Sequence, residues 1–425
     1  MLLEFRVKNF KSIRNETIFS MNASKDKSLE ETHLLKTGIK SIPALVCSAA
    51  IYGPNASGKS NLISAIAYLR GVVAESASLQ VDQTFNIKTF VLDPETANAP
   101  SEFEITFLKE GVRYQYGFMM TSKRIVEEWL YVYKTAKAQH WFSRKYDEDK
   151  QEDVFEFGAS FKGQKDIWKK STRANALFLS TAVQLNSEQL TPIFSWITQD
   201  IVIFGAQGIP QNDFSTKMLQ NEQGKQDITD FLVSADICID DVSVTTKKGL
   251  RQKFEFNTST GKADTSVEEA DVLVPLFHHK TSQGSAMFEL PEESLGTQRL
   301  FSLAGPILDI LKEGRVLIFD ELDSSLHTLL ARRLVELFHT PELNTHGAQL
   351  VFSTHDTALL HDELLRRDQV WFIEKDTDQV SNLYALTDFS PRKNESIERG
   401  YMIGRYGAVP FLQDIKPATS KFNGS

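Results

Sequence analysis

The clearest chemistry in the chain lies in eight consecutive residues. Gly53, Pro54, Asn55, Ala56, Ser57, Gly58, Lys59 and Ser60 fit the pattern G-x-x-x-x-G-K-[ST] at every position. Glycines let a backbone turn so that successive N–H groups face a polyphosphate. A helix that starts at the end of such a loop adds a dipole favourable to anions. Lys59 is placed to reach the β- and γ-phosphates of ATP, and the Ser60 hydroxyl to ligate Mg²⁺. An apolar run over residues 44–52 leads into the loop, and Leu62, Ile66, Leu69 and Val73 follow at helical spacing. This is the strand–loop–helix setting that a phosphate-binding loop requires, and it predicts nucleotide binding without saying what the binding serves.

A second acidic centre lies far downstream. Val316, Leu317, Ile318 and Phe319 form an apolar strand that ends in Asp320 and Glu321. With a phosphate loop upstream, Asp320 can support the metal and Glu321 can polarise an attacking water, since in-line attack on a γ-phosphate needs an oriented nucleophile and neutralised charge. Three further stretches bear on the same reaction. Residues 293–299 (Glu-Ser-Leu-Gly-Thr-Gln-Arg) precede a helix with Leu300, Leu303, Ile307, Leu308 and Leu311 on one face. There Ser294 and Gly296 offer donors to an anion, or Ser294 is an ordinary N-cap. Asp323 follows the acidic pair and leads into another helix. His355 ends the strand that comes next in the chain after Asp320 and Glu321, where it can point at a γ-phosphate.

In this order, the motifs resemble those of ABC-type ATPase heads of the SMC/RecF kind, and the opening Phe-Arg-Val-Lys-Asn-Phe-Lys-Ser also looks like the start of such a head. More narrowly, the chain resembles compact AAA-type members of bacterial anti-phage defence loci, such as RloA/AbiL-type proteins and the PARIS system ATPase. The supporting segments are residues 22–28, 51–60, 293–299 and 404–410. The resemblance implies that ATP is sandwiched between two heads. Lys59 and Ser60 would bind phosphate and Mg²⁺, Asp320 would support Mg²⁺, and Glu321 would be the catalytic base. Asp323 would lie in the D-loop, His355 would sense the γ-phosphate, and Ser294 with Gly296 would grip the ATP of a partner subunit. A homodimer or larger ring is therefore expected. So is an effector from an adjacent gene, a Toprim-like nuclease, with a phage protein as trigger. The rival reading is a RecF-like repair ATPase that clamps DNA as its heads close. The Q-loop glutamine is not assigned among Gln80, Gln83 and Gln115.

The elements that must position these residues are those of an α/β, two-lobed P-loop head with an inserted helical and β region and no long coiled coil. One lobe is expected over residues 1–135 with the phosphate loop, an insert over 136–270, and a second lobe over 271–425 with signature, Walker B, D-loop and switch histidine. Residues 1–20 read as two strands, 22–40 as a surface loop, 100–135 as a meander, 160–200 and 215–235 as helical, and 244–270 as an exposed hairpin. The chain has 425 residues, 41% hydrophobic and 24% charged, which is ordinary globular usage. Its net charge of −9 excludes a simple polybasic DNA-coating protein but not a local basic face. No apolar run is long enough to span a membrane, and no signal-peptide core opens the chain, so a cytoplasmic location is expected.

Other features receive structural readings. Cys47 and Cys238, both in apolar settings, are expected as reduced core residues. Glu374, Asp376 and Asp378 sit in a hairpin rather than a nuclease centre, because the stretch after His355 is too short for an added Toprim domain. Arg332-Arg333 and Arg366-Arg367 read as solvated helix faces. Residues 136–270 and 399–410 are the surfaces expected to meet a partner.

Overall fold

The computed structural model describes residues 1–205, 211–235, 237–257, 262–324, 326–390 and 396–410. Its frame is a six-stranded sheet ordered Ile201–Phe204, Val316–Phe319, Gln349–Ser353, Ser48–Tyr52, Val370–Lys375 and Ser381–Ala385. The first five strands run parallel and the last antiparallel. A parallel sheet covered on both faces needs unbroken apolar strands, because alternate side chains must enter two different cores. Ala49, Ile51, Val316, Ile318, Val351 and Ile373 enter one core, and Ala50, Tyr52, Leu317, Phe319, Leu350 and Phe352 enter the other.

The first core also takes in a seven-stranded antiparallel sheet. Its order is Glu152–Phe157, Gln139–Asp147, Ile125–Tyr133, Val112–Met120, Ser101–Lys109, Leu2–Lys8 and Thr17–Ser20. The helix Lys59–Glu75 buries Leu62, Ile63, Ile66, Leu69 and Val73 in this core. The second core is closed by the helices Glu222–Ser234, Leu295–Glu313 and Thr328–Phe338, through Ile228, Leu232, Leu300, Leu303, Ile307 and Leu334. The longest helix among the described residues has 19 residues, so no coiled-coil arm is present in them.

Residues 136–270 are distributed over the molecule. Gln139–Asp147 and Glu152–Phe157 extend the antiparallel sheet, and Ile201–Phe204 forms an edge of the central sheet. Strands Asp241–Asn257 and Lys262–Lys280 form the long antiparallel pair expected at 244–270, joined by a third strand, Ser285–Glu289. The apolar run at 44–52 is two strands. Ile42–Val46 pairs with Leu34–Ile39, inside what reads as a surface loop, and only Ser48–Tyr52 enters the central sheet.

Two further readings are corrected. Arg366 is not on a solvated helix face. It is 1% exposed, chelates Asp368 through Nε (2.9 Å) and Nη2 (2.7 Å), and donates to the carbonyls of Asp26 and Ser28. Cys47 is buried as expected, but Cys238 is exposed.

Candidate active site

Adjacent parallel strands open their carboxyl ends onto one crevice. Here the phosphate loop follows Tyr52, His355 is the second residue after the Gln349–Ser353 strand, and Asp320-Glu321 follows Phe319. The three strands are immediate neighbours, with Ser353 level with Ile51 and Phe352 level with Phe319. Motifs far apart in the chain therefore share the carboxyl end of one sheet.

The loop glycines have specific causes. Gly58 caps the helix at φ 117°, a conformation open to glycine. A β-carbon at Gly53 would run into the Ile373 carbonyl and Ser57 Oγ. Ala56 holds φ 62° without glycine's freedom. The loop is braced from behind: Ser381 Oγ donates to the Ser57 carbonyl (2.6 Å), pairs with Ser12 Oγ (2.7 Å), and Ser12 Oγ accepts from Asn61 Nδ2 (2.6 Å). Lys59, 5% exposed, folds back to donate to the carbonyls of Gly53 (2.7 Å) and Pro54 (3.2 Å). Burial pulls its ammonium down to about 8, against the opposing pull of Glu321, Asp320 and Asp323. Asn55, Ala56 and Ser60 are exposed, while Ser57 is buried.

On the acidic side, Asp320 is 5% exposed and its Oδ1 accepts from Ser353 Oγ at 2.6 Å. The same Ser353 oxygen accepts the Glu321 N–H at 2.7 Å. Glu321 stands at φ 57°, a left-handed conformation that non-glycine residues keep only when their surroundings enforce it. Asp323 Oδ2 accepts the His355 N–H at 3.1 Å, which ties the turn after Glu321 to the end of the Gln349–Ser353 strand. Burial, with the Lys59 charge second, lowers the His355 imidazole; Asp323, Glu321 and Asp320 oppose it. Burial likewise lowers the Lys11 ammonium, which feels the attraction of Asp320.

The residues present fit a magnesium nucleotide. Ser57 Oγ, a donor, and Asp323 Oδ1, an acceptor, are buried without hydrogen-bond partners. Lys59 donates to neutral carbonyls, and no ion pair holds it among the described residues. Ser60 and Asp320 are the side chains that could hold the metal.

Ser294 and Gly296 are not drawn to this crevice by any bond. Ser294 Oγ caps its own helix, accepting the Thr297 N–H (3.1 Å) and meeting Thr297 Oγ1 (2.9 Å). Both residues are exposed, and a β-carbon at Gly296 would meet little but Ser294 Oγ at 3.7 Å. Gln83 Oε1 accepts from Gln80 N (2.7 Å) and Gln115 Oε1 from the Tyr133 hydroxyl (2.8 Å), so neither amide oxygen is bonded at the crevice. Sequence reasoning missed Ser353, Ser12, Ser381 and Asn61. For Ser353 alone a signal existed: a hydroxyl closing an apolar strand two residues before His355.

The strand–loop–helix phosphate loop on a mainly parallel six-stranded sheet, beside a seven-stranded antiparallel sheet, defines an α/β P-loop domain. The chain belongs to the family described as "AAA domain, putative AbiEii toxin, Type IV TA system", whose model matches residues 48–361. Among curated proteins the comparison found no match. Similar solved structures include an SMC head domain from Thermotoga maritima, 16% identical, covering 90% of this chain and 98% of that one at a TM-score of 0.42. They also include an SMC head bound to the C-winged helix domain of ScpA, 13% identical, covering 94% and 99% at a TM-score of 0.42. A third is an Smc head domain with an extended coiled coil bound to the C-terminal domain of ScpA derived from Pyrococcus furiosus, 12% identical, covering 95% and 98% at 0.42. Among the described residues no helix is long and apolar enough to cross a membrane.

Proposed function

We propose that this chain hydrolyses Mg-ATP at composite sites in a head-to-head dimer or larger ring. In this role it is the ATP-driven sensor or scaffold of a two-component anti-phage defence system. Lys59 and the loop N–H groups hold the polyphosphate, and Ser60 and Asp320 hold the metal, which when bound neutralises developing charge. Glu321 takes the proton of the attacking water, and His355, tied to Asp323, faces the transferred group. Ser294 and Gly296 serve the ATP of the neighbouring subunit. The separate effector, a Toprim-like nuclease encoded beside this chain, is restrained until a phage protein triggers its release.

The observation that carries the catalytic part is the single crevice. Lys59 is buried under the combined field of Asp320, Glu321 and Asp323, and His355 feels all four of these charges. The defence role is supported by family membership, whose description links it to a toxin–antitoxin system. The test is expression of the chain alone and with its genomic neighbour in phage-challenged cells. Protection that needs both genes and is lost in Lys59→Ala and Glu321→Gln is the expected result. Growth arrest or nucleic-acid cleavage by the chain alone would make the chain itself the toxic component and defeat the proposal.

A further inference from the structure

We infer that Ser353 is a positioning residue that sets both carboxylates of the acidic centre through one hydroxyl. The inference rests on the ATPase reading above. Ser353 is fully buried, and its oxygen has two partners of opposite kind. It donates its one proton to Asp320 Oδ1 and accepts the backbone N–H of Glu321. A hydroxyl has one donor and two acceptor sites, so the pair of bonds fixes its orientation when Asp320 is ionised. Donation to Oδ1 engages one carboxylate oxygen, and Oδ2 is the oxygen that would hold the metal. Acceptance from Glu321 N anchors the residue at φ 57°, where the backbone would otherwise relax toward the ordinary right-handed region.

Position reinforces the point. Ser353 lies level with Ile51 at the end of the phosphate-loop strand, and the next residue, Thr354, donates its N–H to the Ile51 carbonyl at 3.2 Å. Two residues on, His355 is held by Asp323. Ser353 thus holds the Asp320-Glu321 turn through its side chain, while the residue after it bonds the phosphate-loop strand. A movement of the Gln349–Ser353 strand must shift Asp320 and Glu321 together, and this couples metal support to the alignment of the base.

The experiment uses the full-length chain and compares wild type, Ser353→Ala, Ser353→Thr and Glu321→Gln. ATP affinity, kcat, the Mg²⁺ concentration for half-maximal rate and the thermal midpoint are measured for each. Ser353→Ala is expected to bind ATP within about threefold of wild type while kcat falls roughly 10–100-fold, the scale of a lost hydrogen bond to a charged group. Its Mg²⁺ requirement should rise severalfold, and Ser353→Thr, which restores the hydroxyl, should recover most of both. A residue needed only for packing would lower the thermal midpoint without changing the Mg²⁺ requirement. If Ser353→Ala does not fold, Ser353→Cys carries the same test, because it keeps the shape and weakens the bonds. Turnover and Mg²⁺ dependence within twofold of wild type in Ser353→Ala, with Glu321→Gln inactive, would overturn this inference and leave the ATPase reading standing. Wild-type turnover in Glu321→Gln would overturn the base assignment, and this inference with it.

Discussion

Lys59 meets two opposed demands. Its position at the base of the loop buries the ammonium and draws its pKa down to about 8, yet it must be charged to hold a polyphosphate. Three carboxylates keep the value from falling further, and two loop carbonyls solvate the charge. The sign of the pH dependence follows. Bound polyphosphate favours the charged form, so its pKa is higher in the complex than in the free protein. Affinity is then flat well below pH 8 and weakens as pH rises through the free-protein value, because binding must take up a proton. One unit above that value the expected loss in ATP affinity is roughly tenfold. Titration calorimetry at pH 7, 8 and 9 measures it, and Lys59→Arg, whose guanidinium does not titrate, should flatten the profile. A flat profile for the wild type would mean that lysine desolvation does not govern binding.

Between elements, buried polar pairs do the joining. His33, at the end of the short helix Glu30–His33, and His339, at the end of the helix Thr328–Phe338, lie with ring centroids 3.8 Å apart. His33 Nε2 meets the Leu364 carbonyl (3.0 Å), and His339 Nε2 meets Ser48 Oγ (2.8 Å) at the start of the phosphate-loop strand. Burial lowers both imidazoles, the second well below the usual histidine value and further depressed by the first. Their folded pKa values lie below those of the unfolded chain, so their contribution to stability is complete above about pH 6.5 and is lost as pH falls. Each neutral imidazole costs up to ~1.4 kcal/mol per pH unit below that point. The thermal midpoint should therefore drop between pH 7 and pH 5, and less so in His339→Gln. The central strands are legible because each is an apolar run ending at a residue with chemistry, as with Phe319 before Asp320. Arg366 is not, since an adjacent arginine pair reads alike in solvent or in a core, and only the fold brings the Asp26 and Ser28 carbonyls to it. Ile201–Phe204 escapes for a different reason: four residues carry no period long enough to separate strand from helix. The segment at 399–410 reads as a docking surface but is half interior: Tyr401 and Tyr406 stack on Phe372, while Met402 and Ile403 stay exposed.

For the whole molecule, the proposal of a shared site turns on which candidate residues one copy brings together. Its crevice gathers Lys59, Asp320, Glu321, Asp323 and His355, while Ser294 and Gly296 sit exposed with only local bonds. Leu295 between them is 72% exposed. An exposed apolar side chain between two exposed polar donors is compatible with a surface completed by a second copy. If the site is shared, defects in its two halves must complement. Ser294→Arg should bind ATP and not hydrolyse it. The fold should survive, because losing an N-cap costs about 1 kcal/mol and the helix it caps is long and buried on one face. Lys59→Ala should not bind ATP, though its signature is intact. A mixture then contains one interface that joins a sound loop to a sound signature, and hydrolysis should return to a fraction of the wild-type rate set by the share of mixed assemblies. Turnover is read in equimolar mixtures, with co-assembly checked by differently tagged copies. A mixture that assembles yet stays silent would mean that each chain builds its site alone, and the composite reading would fall.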